Sequence, residues 1–291
     1  MTQPAASTIT IADGDYRLLA CDLDGTLIVN HGNVSACAML ALHRAHRAGM
    51  RVVVSTGRAL EMVPKQLRRF RSVDAFITSN GARVNLRGKK PLGVQPIPNA
   101  VALETIDWLK SQGAAVNMFY NGKALLDRSA LGVMAGHHKP TSIRRIVMLL
   151  VFFRHTRSIN GIHRILRKKK VVVEKIGGFF RSEESAARAL ALLENSSLTA
   201  VTTGGMDLEI TAAGVDKGDA LRSLSLYFGL DRSQVVVCGD SGNDLSMRGH
   251  CGLFVAPRNA SKDVLAVADV ITDGAEKDGV AAWLLTNLNG A

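Results

Sequence analysis

The sequence predicts an α/β protein, a Rossmann-like, doubly wound parallel sheet interrupted by an inserted α+β domain. Three observations carry that prediction. The apolar runs Leu18-Leu19-Ala20-Cys21, Arg51-Val52-Val53-Val54 and Gln234-Val235-Val236-Val237-Cys238 have the length and β-branched content of buried strands, and each ends in a polar, glycine-containing turn. Helical patterns alternate with these runs, as a parallel sheet requires. Between the second and third runs an insertion of about 130 residues is long enough for a domain of its own.

In chain order, the first strand ends at Cys21, and Ser35 to Ala48 reads as a helix stopped by Gly49. The Val52 strand, a helix after Arg58 and a strand at Ala75 to Thr78 follow. The core resumes near Gly214. There Lys217 opens a helix with Leu221, Leu224, Ser225 and Phe228 on one face, closed by Gly229. The Val235 strand, the short strands Leu253-Phe254-Val255 and Val270-Ile271, and a helix at Val280 to Leu288 complete it. This assigns residues 1–81 and 214–291 to the core and 82–213 to the insertion, expected to act as a cap.

Inside the insertion, Val84 to Val94 reads as a hairpin around Arg87-Gly88. Asn99 to Gln112 is an amphipathic helix with Val101, Ile106 and Leu109 inward. Short strands are expected at Val116 to Tyr120, Ala124 to Leu126, Val171 to Ile176, Thr199 to Thr203 and Leu208 to Thr211, with a helix at Glu183 to Leu193. A sheet with helices on one face follows, and no internal repeat is evident.

The chemistry concentrates where the three core strands end. Asp22-Leu23-Asp24-Gly25-Thr26-Leu27 places two carboxylates one residue apart on the turn leaving a strand, at the carboxyl edge where open α/β sheets bind ligands. An ordinary Asp-Gly turn explains the glycine but not the second carboxylate. An EF-hand loop is excluded, because Leu27 and Asn33 occupy its glycine and glutamate positions. The second strand runs into Ser55-Thr56-Gly57-Arg58 and the third into Gly239-Asp240-Ser241-Gly242-Asn243-Asp244. Taken alone, Thr56-Gly57-Arg58 is most simply a strand exit, Lys217 an exposed helix start and Gly239 to Asp244 a solvated turn. Together they suit phosphoryl transfer: Asp22 as nucleophile, Asp24 as acid and base, and Lys217, Thr56 and the N–H groups around Gly57 as a phosphate cradle. Asp22 and Asp240, with Asn243 or Asp244, offer hard oxygen ligands for Mg2+.

With those residues in place, the chain resembles the Cof-type phosphatases of the haloacid dehalogenase superfamily. The first motif is similar to Asp22 through Leu27, the second to Thr56-Gly57-Arg58, the third to Lys217-Gly218 and the fourth to Gly239-Asp240 with Asn243-Asp244. Ser79-Asn80-Gly81-Ala82, Asp207-Leu208-Glu209-Ile210, Asn259-Ala260 and Asp278-Gly279-Val280 are also family-like. The resemblance implies a phosphomonoester hydrolase in which Asp22 is the nucleophile, Asp24 the acid and base, and Thr56 and Lys217 the phosphate ligands. It further implies Mg2+ on Asp22, the Asp24 carbonyl and Asp240, completed or supported by Asn243 and Asp244, and substrate contacts at Gly57, Arg58, Asn80 and Gly81. Pro257-Arg258 and the stretch from Leu131 to Lys170 depart from the family pattern. A phosphomutase of the phosphomannomutase type and a non-catalytic module that binds polyanions are the competing readings.

Composition sets the remaining bounds. With 291 residues, 47% of them hydrophobic, the chain can bury two cores. No apolar stretch approaches the roughly 18 residues that span a bilayer; Ile146 to Phe153 is the longest. Met1 to Asp15 lacks the basic and apolar regions of a secretory signal, and Cys21, Cys37, Cys238 and Cys251 form no Cys-x-x-Cys pair. A cytoplasmic protein without disulfides or zinc is expected. The formal charge is +11, and Lys139 to Lys170 holds ten Lys and Arg without an Asp or Glu, so nearly all the basicity is local. Ile159, Ile162, Ile165 and Leu166 mark a basic amphipathic helix there, among Arg157, Arg164, Arg167 and Lys168. A solvated helix, a field that draws in an anionic substrate, and a nucleic-acid or lipid surface are its three readings. No nucleic-acid motif accompanies it, so the expected partner is a small phosphate ester rather than nucleic acid or a membrane.

Overall fold

The computed structural model describes residues 14–28, 33–128, 156–168, 170–194, 196–202 and 205–288. The apolar stretch Ile146 to Phe153 and most of the basic stretch from Lys139 lie outside the described residues. The chain divides into two compact units.

The first half of the larger unit comprises β1 (Leu18–Asp22), α1 (Ala36–Arg47), β2 (Arg51–Ser55), α2 (Lys65–Arg69), β3 (Ala75–Thr78), β4 (Arg83–Leu86) and β5 (Gly93–Val94). Ser35 accepts a hydrogen bond from the Ala38 N–H at 2.9 Å and so caps α1. The helix expected after Arg58 is α2, preceded by a single 3₁₀ turn at Leu60–Met62; it starts only beyond Pro64, which favours extended backbone before it.

The inserted unit follows with α3 (Asn99–Ser111), β6 (Ala115–Tyr120), β7 (Lys123–Asp127), β8 (Thr156–Arg157), α4 (Ile159–Leu166), β9 (Val173–Phe179), α5 (Glu183–Leu193), β10 (Leu198–Val201) and β11 (Asp207–Ala212). Its six strands run in the order β10-β11-β9-β6-β7-β8, antiparallel except for the β7–β8 pair. Val116, Met118, Ile176, Leu208 and Ile210 pack with Ile106 and Leu109 of α3, Ile162 and Leu166 of α4, and Ala186 and Ala189 of α5. Strand alternation puts all those strand residues on one face. The basic helix α4 thus has the apolar stripe its spacing predicts. An ion pair between the buried Lys175 and the partly exposed Glu209 joins β9 to β11 on the other face, where the Lys175 ammonium also lies over the Phe119 ring.

The chain then returns to the larger unit with α6 (Lys217–Phe228), β12 (Val235–Cys238), β13 (Leu253–Pro257), α7 (Lys262–Val267), β14 (Val270–Thr272) and α8 (Gly279–Asn287). The eight strands are ordered β14-β13-β12-β1-β2-β3-β4-β5. From β14 to β3 they are parallel, and β4 runs antiparallel to β3. Leu18, Ala20, Val235 and Val237 pack with Leu221 and Leu224 of α6. Alternation turns Leu19, Cys21, Val236 and Cys238 to the opposite face, and α1 and α8 pack on each other in the same unit. The four cysteines are free, three of them buried.

The expected boundary at residue 82 needs correction. Val84 and Leu86 are buried in the hydrophobic cluster of the larger sheet, so β4 and β5 belong to that sheet rather than to the insertion. The larger unit accordingly holds 1–58, 63–93 and 216–291. Ala59–Met62 goes with the inserted unit, since Ala59 and Met62 pack on Phe119 and Ala124 and the Ala124 N–H donates to Glu61 Oε1 at 2.5 Å.

Candidate active site

Strand register puts the site residues side by side. Cys21 pairs with Cys238 across β1 and β12, and Asp22 pairs with Ser55 across β1 and β2. The chain therefore leaves three neighbouring strands at one edge as Asp22, Thr56 and Gly239-Asp240. Gly25 holds φ at +88°, and a Cβ there would fall 2.2 Å from Asp240 Oδ2, so both the turn and the close approach of the first and fourth motifs require glycine.

Lys217 is the first residue of α6 and almost wholly buried. Its ammonium donates to Asp22 Oδ1 and Asp244 Oδ1, each at 2.7 Å, and to Asn243 Oδ1 at 3.2 Å. All three of its N–H bonds are thereby used. Asp216 caps the helix, accepting from the Asp219 N–H at 2.8 Å, and this cap sets where the lysine begins. Asn243 also accepts from the Ser241 hydroxyl at 2.8 Å and donates to Asn80 Oδ1 at 3.2 Å. Asp244 Oδ2 accepts from the Asp240 and Ser241 N–H groups, each at 3.0 Å. Asp240 Oδ1 accepts from the Thr26 hydroxyl at 2.9 Å.

Asp22, Asp240 and Asp244 each place a carboxylate oxygen within 4.8 Å of the others. Burial pushes the Asp22 carboxyl well above the usual range; Lys217 opposes this, while repulsion from Asp244 and Asp240 adds to it. Burial, then repulsion from Asp244, lifts Asp240 to about 6 against the Thr26 hydrogen bond and the Lys217 charge. Burial alone would lower the Lys217 pKa, but Asp22 and Asp244 outweigh it and keep the ammonium charged. One ammonium, paired with the buried Asp22 and Asp244, thus faces three clustered carboxylates, and the excess negative charge is what a divalent cation would neutralise.

The Arg58 guanidinium grips Asp24 in a two-pronged ion pair, Nε to Oδ2 at 2.7 Å and a terminal nitrogen to Oδ1 at 2.5 Å. The buried Thr56 hydroxyl accepts from the Arg58 N–H at 3.2 Å, in the turn that also contains Gly57. Asn80 sits in the left-handed region at φ 55°. Gly81 is pressed against backbone, where a Cβ would meet the Asp216 carbonyl oxygen at 2.0 Å, so its local work is to let the third motif approach. Sequence reasoning gave no site role to Thr26, Ser241 or Asn259. Asn259 bridges Gly25 and Ala275, donating to the Gly25 carbonyl at 2.9 Å and accepting from the Ala275 N–H at 2.7 Å. Thr26 and Ser241 lay inside the quoted motifs, and their hydroxyls were the available signal.

The haloacid dehalogenase-like hydrolase family matches residues 19–284 of this chain. The chain belongs to that family. Its pattern of a β1 Asp motif, a Thr-Gly-Arg turn, a helix-opening lysine and a Gly-Asp turn is that of the Cof-type phosphatases, and it is a phosphatase of this superfamily. Phosphatase YwpJ of Bacillus subtilis is 28% identical over 279 residues, which cover 91% of this chain and 97% of YwpJ. The 5-amino-6-(5-phospho-D-ribitylamino)uracil phosphatase YcsE of the same organism is 28% identical over 284 residues, covering 94% of this chain and 98% of YcsE. A solved haloacid dehalogenase-like hydrolase from B. subtilis superposes with a TM-score of 0.79 at 25% identity, covering 92% of this chain and 99% of that one. Among the described residues no helix is long and apolar enough to cross a membrane.

Proposed function

We propose that the chain hydrolyses the phosphomonoester of a small metabolite by way of a phosphorylated Asp22. The single observation that supports this most is the Lys217 ammonium held 2.7 Å from Asp22 Oδ1. It fixes the plane of a carboxylate at a sheet edge already crowded with negative charge.

In the first step an Asp22 oxygen attacks phosphorus, the ester P–O bond breaks, and the departing alkoxide takes a proton from the Asp24 carboxyl. In the second, the Asp24 carboxylate takes a proton from water as the water oxygen attacks phosphorus, releasing inorganic phosphate and restoring Asp22. For Asp24 to carry that proton, the Arg58 fork must loosen, because a protonated carboxyl keeps only part of its capacity to accept. Lys217, Thr56 and the N–H groups of the Gly57 turn would bind the phosphoryl oxygens. Arg58 and Asn80 would meet the substrate beside them, with Gly81 supporting that loop.

The residues present fit Mg2+, as three oxygen donors whose charge one lysine leaves uncompensated. Asp22, the Asp24 carbonyl and Asp240 would hold the ion. Asn243 and Asp244 would support it, since the Asp244 oxygens already accept four hydrogen bonds. Bound there, the cation supplies charge neutralisation between an anionic nucleophile and an anionic substrate.

The division of labour follows the two units: 1–58, 63–93 and 216–291 transfer the phosphoryl group, and the inserted unit selects the organic part of the ester. Sodium borohydride added during turnover should reduce the acyl phosphate and leave homoserine at position 22, read by peptide mass. An unmodified Asp22 under active turnover would remove the covalent step. The substrate screen starts with 5-amino-6-(5-phospho-D-ribitylamino)uracil, the compound named for the YcsE relative, and extends to sugar, pyridoxal and nucleoside monophosphates.

A further inference from the structure

The residues of the candidate active site leave the eight-stranded sheet at one edge. At the opposite edge Arg51 opens β2, Asp74 precedes β3, Leu86 ends the antiparallel β4 with Arg87 and Lys89 beyond it, and α6 finishes in Tyr227 and Phe228. These residues of the larger unit line a cavity of about 420 Å3. That volume falls within the roughly 300 to 1,000 Å3 of small-molecule sites and far exceeds an inorganic anion.

Its chemistry is specific. Three cations face one carboxylate, and that carboxylate is occupied: Asp74 Oδ1 accepts from Arg51 at 3.2 Å and Oδ2 from the Val52 N–H at 2.9 Å, with His46 Nδ1 3.3 Å from Oδ2. Arg87 spends its donors on neutral acceptors, the carbonyls of Val73, Arg68 and Leu67, which fix the guanidinium without cancelling its charge. Among the described residues Lys89 uses one donor on the Tyr227 hydroxyl at 3.1 Å, and Arg51 uses one on Asp74. Both keep donors to spare. Two rings complete the wall. Tyr227 and Phe228 meet edge to face at 5.3 Å, with Lys89 over the first and Arg51 over the second, and Tyr227 remains 45% exposed. Cations stacked on rings merely for solubility would need neither a concavity nor a surplus of converging positive charge.

We propose that this cavity is a second ligand site, for a small organic phosphate that carries a flat ring, of the mononucleotide class. The phosphate meets Arg51 and Lys89, and the ring lies against Leu86 and the Tyr227–Phe228 pair. The site is separate from phosphoryl transfer and stands whether or not Asp22 is the nucleophile.

The test is calorimetric titration of the full chain with adenosine 5′-(α,β-methylene)diphosphate, whose terminal phosphorus is bound through carbon and cannot be hydrolysed. Saturable one-to-one binding that persists when Mg2+ and beryllium fluoride, which carries no ring, occupy the Asp22 site is expected. It should weaken about tenfold or more in Lys89→Glu and in Tyr227→Leu, each with p-nitrophenyl phosphate turnover unchanged. Adenosine alone and methylenediphosphonate alone should bind about tenfold more weakly, since each lacks half of the recognition. Binding that Mg2+ and beryllium fluoride abolish, that both variants leave intact, or that methylenediphosphonate reproduces in full would overturn the proposal, as would no saturable binding.

Discussion

Gly81 holds φ at +99°, and any side chain there would have to displace the backbone of Asp216, the residue that caps the lysine helix. Gly81→Ala is therefore expected to cost about 2 kcal/mol or more by thermal denaturation. It should also lower kcat, although position 81 presents no group to a phosphate. At Asp22 the expectation is different: Asp22→Asn should retain the fold and lose on the order of a thousandfold or more in kcat, measured with p-nitrophenyl phosphate. Most residues of the candidate site were legible in the sequence because each motif confines its side chains to a few positions behind a β-branched run. The Arg58–Asp24 fork was not, since the partners are far apart in the chain and only the parallel pairing of β1 with β2 brings their turns together. The bridge that Asn259 makes to Gly25 escaped notice for the same reason.

A single helix terminus sets the position of the lysine. Asp216 is the N-cap of α6, and truncating such a cap typically costs about 1 kcal/mol. Asp216→Ala should lower the melting midpoint accordingly and reduce kcat by more than that loss alone explains, because Lys217 is the next residue. Proteins of equal folded fraction by circular dichroism would isolate the kinetic effect. Strand periodicity identified the central strands well, since a run buried on both faces is nearly all apolar. It misplaced β4, whose sequence Arg-Val-Asn-Leu alternates as an edge or hairpin strand would, while its actual neighbour β3 was fixed by burial of Val84 and Leu86. The helix after Arg58 is present but starts late for a local reason, the proline at position 64.

For the whole molecule, the acidic cluster ties stability to pH and to metal. A carboxyl whose folded pKa is raised holds its proton where the unfolded chain has lost it, so its stabilising contribution is complete below about pH 4 and disappears as pH rises through about 6 for Asp240. In chelator, the melting midpoint of the wild type relative to Asp240→Asn should fall between about pH 4 and 7. Mg2+ should raise the wild-type midpoint more at pH 7 than at pH 5, and equal stabilisation at both would contradict a metal site built on these groups. The domain boundaries were only partly visible from the sequence. The transition at residues 215 and 216 was close to that expected near Gly214, whereas the placement of Ala59–Met62 depends on packing with Phe119 and Ala124, more than fifty residues away.

Because β1 lies between β2 and β12, its two neighbours are translated at very different times. The nucleophile's strand emerges from the ribosome early, yet one of its edges stays open until Cys238 follows, a delay of roughly 10 to 40 s at ordinary elongation rates. An apolar strand left unpaired for that long is a target for wrong partners, so nascent chains of this protein should depend on chaperone occupancy until their last quarter is made.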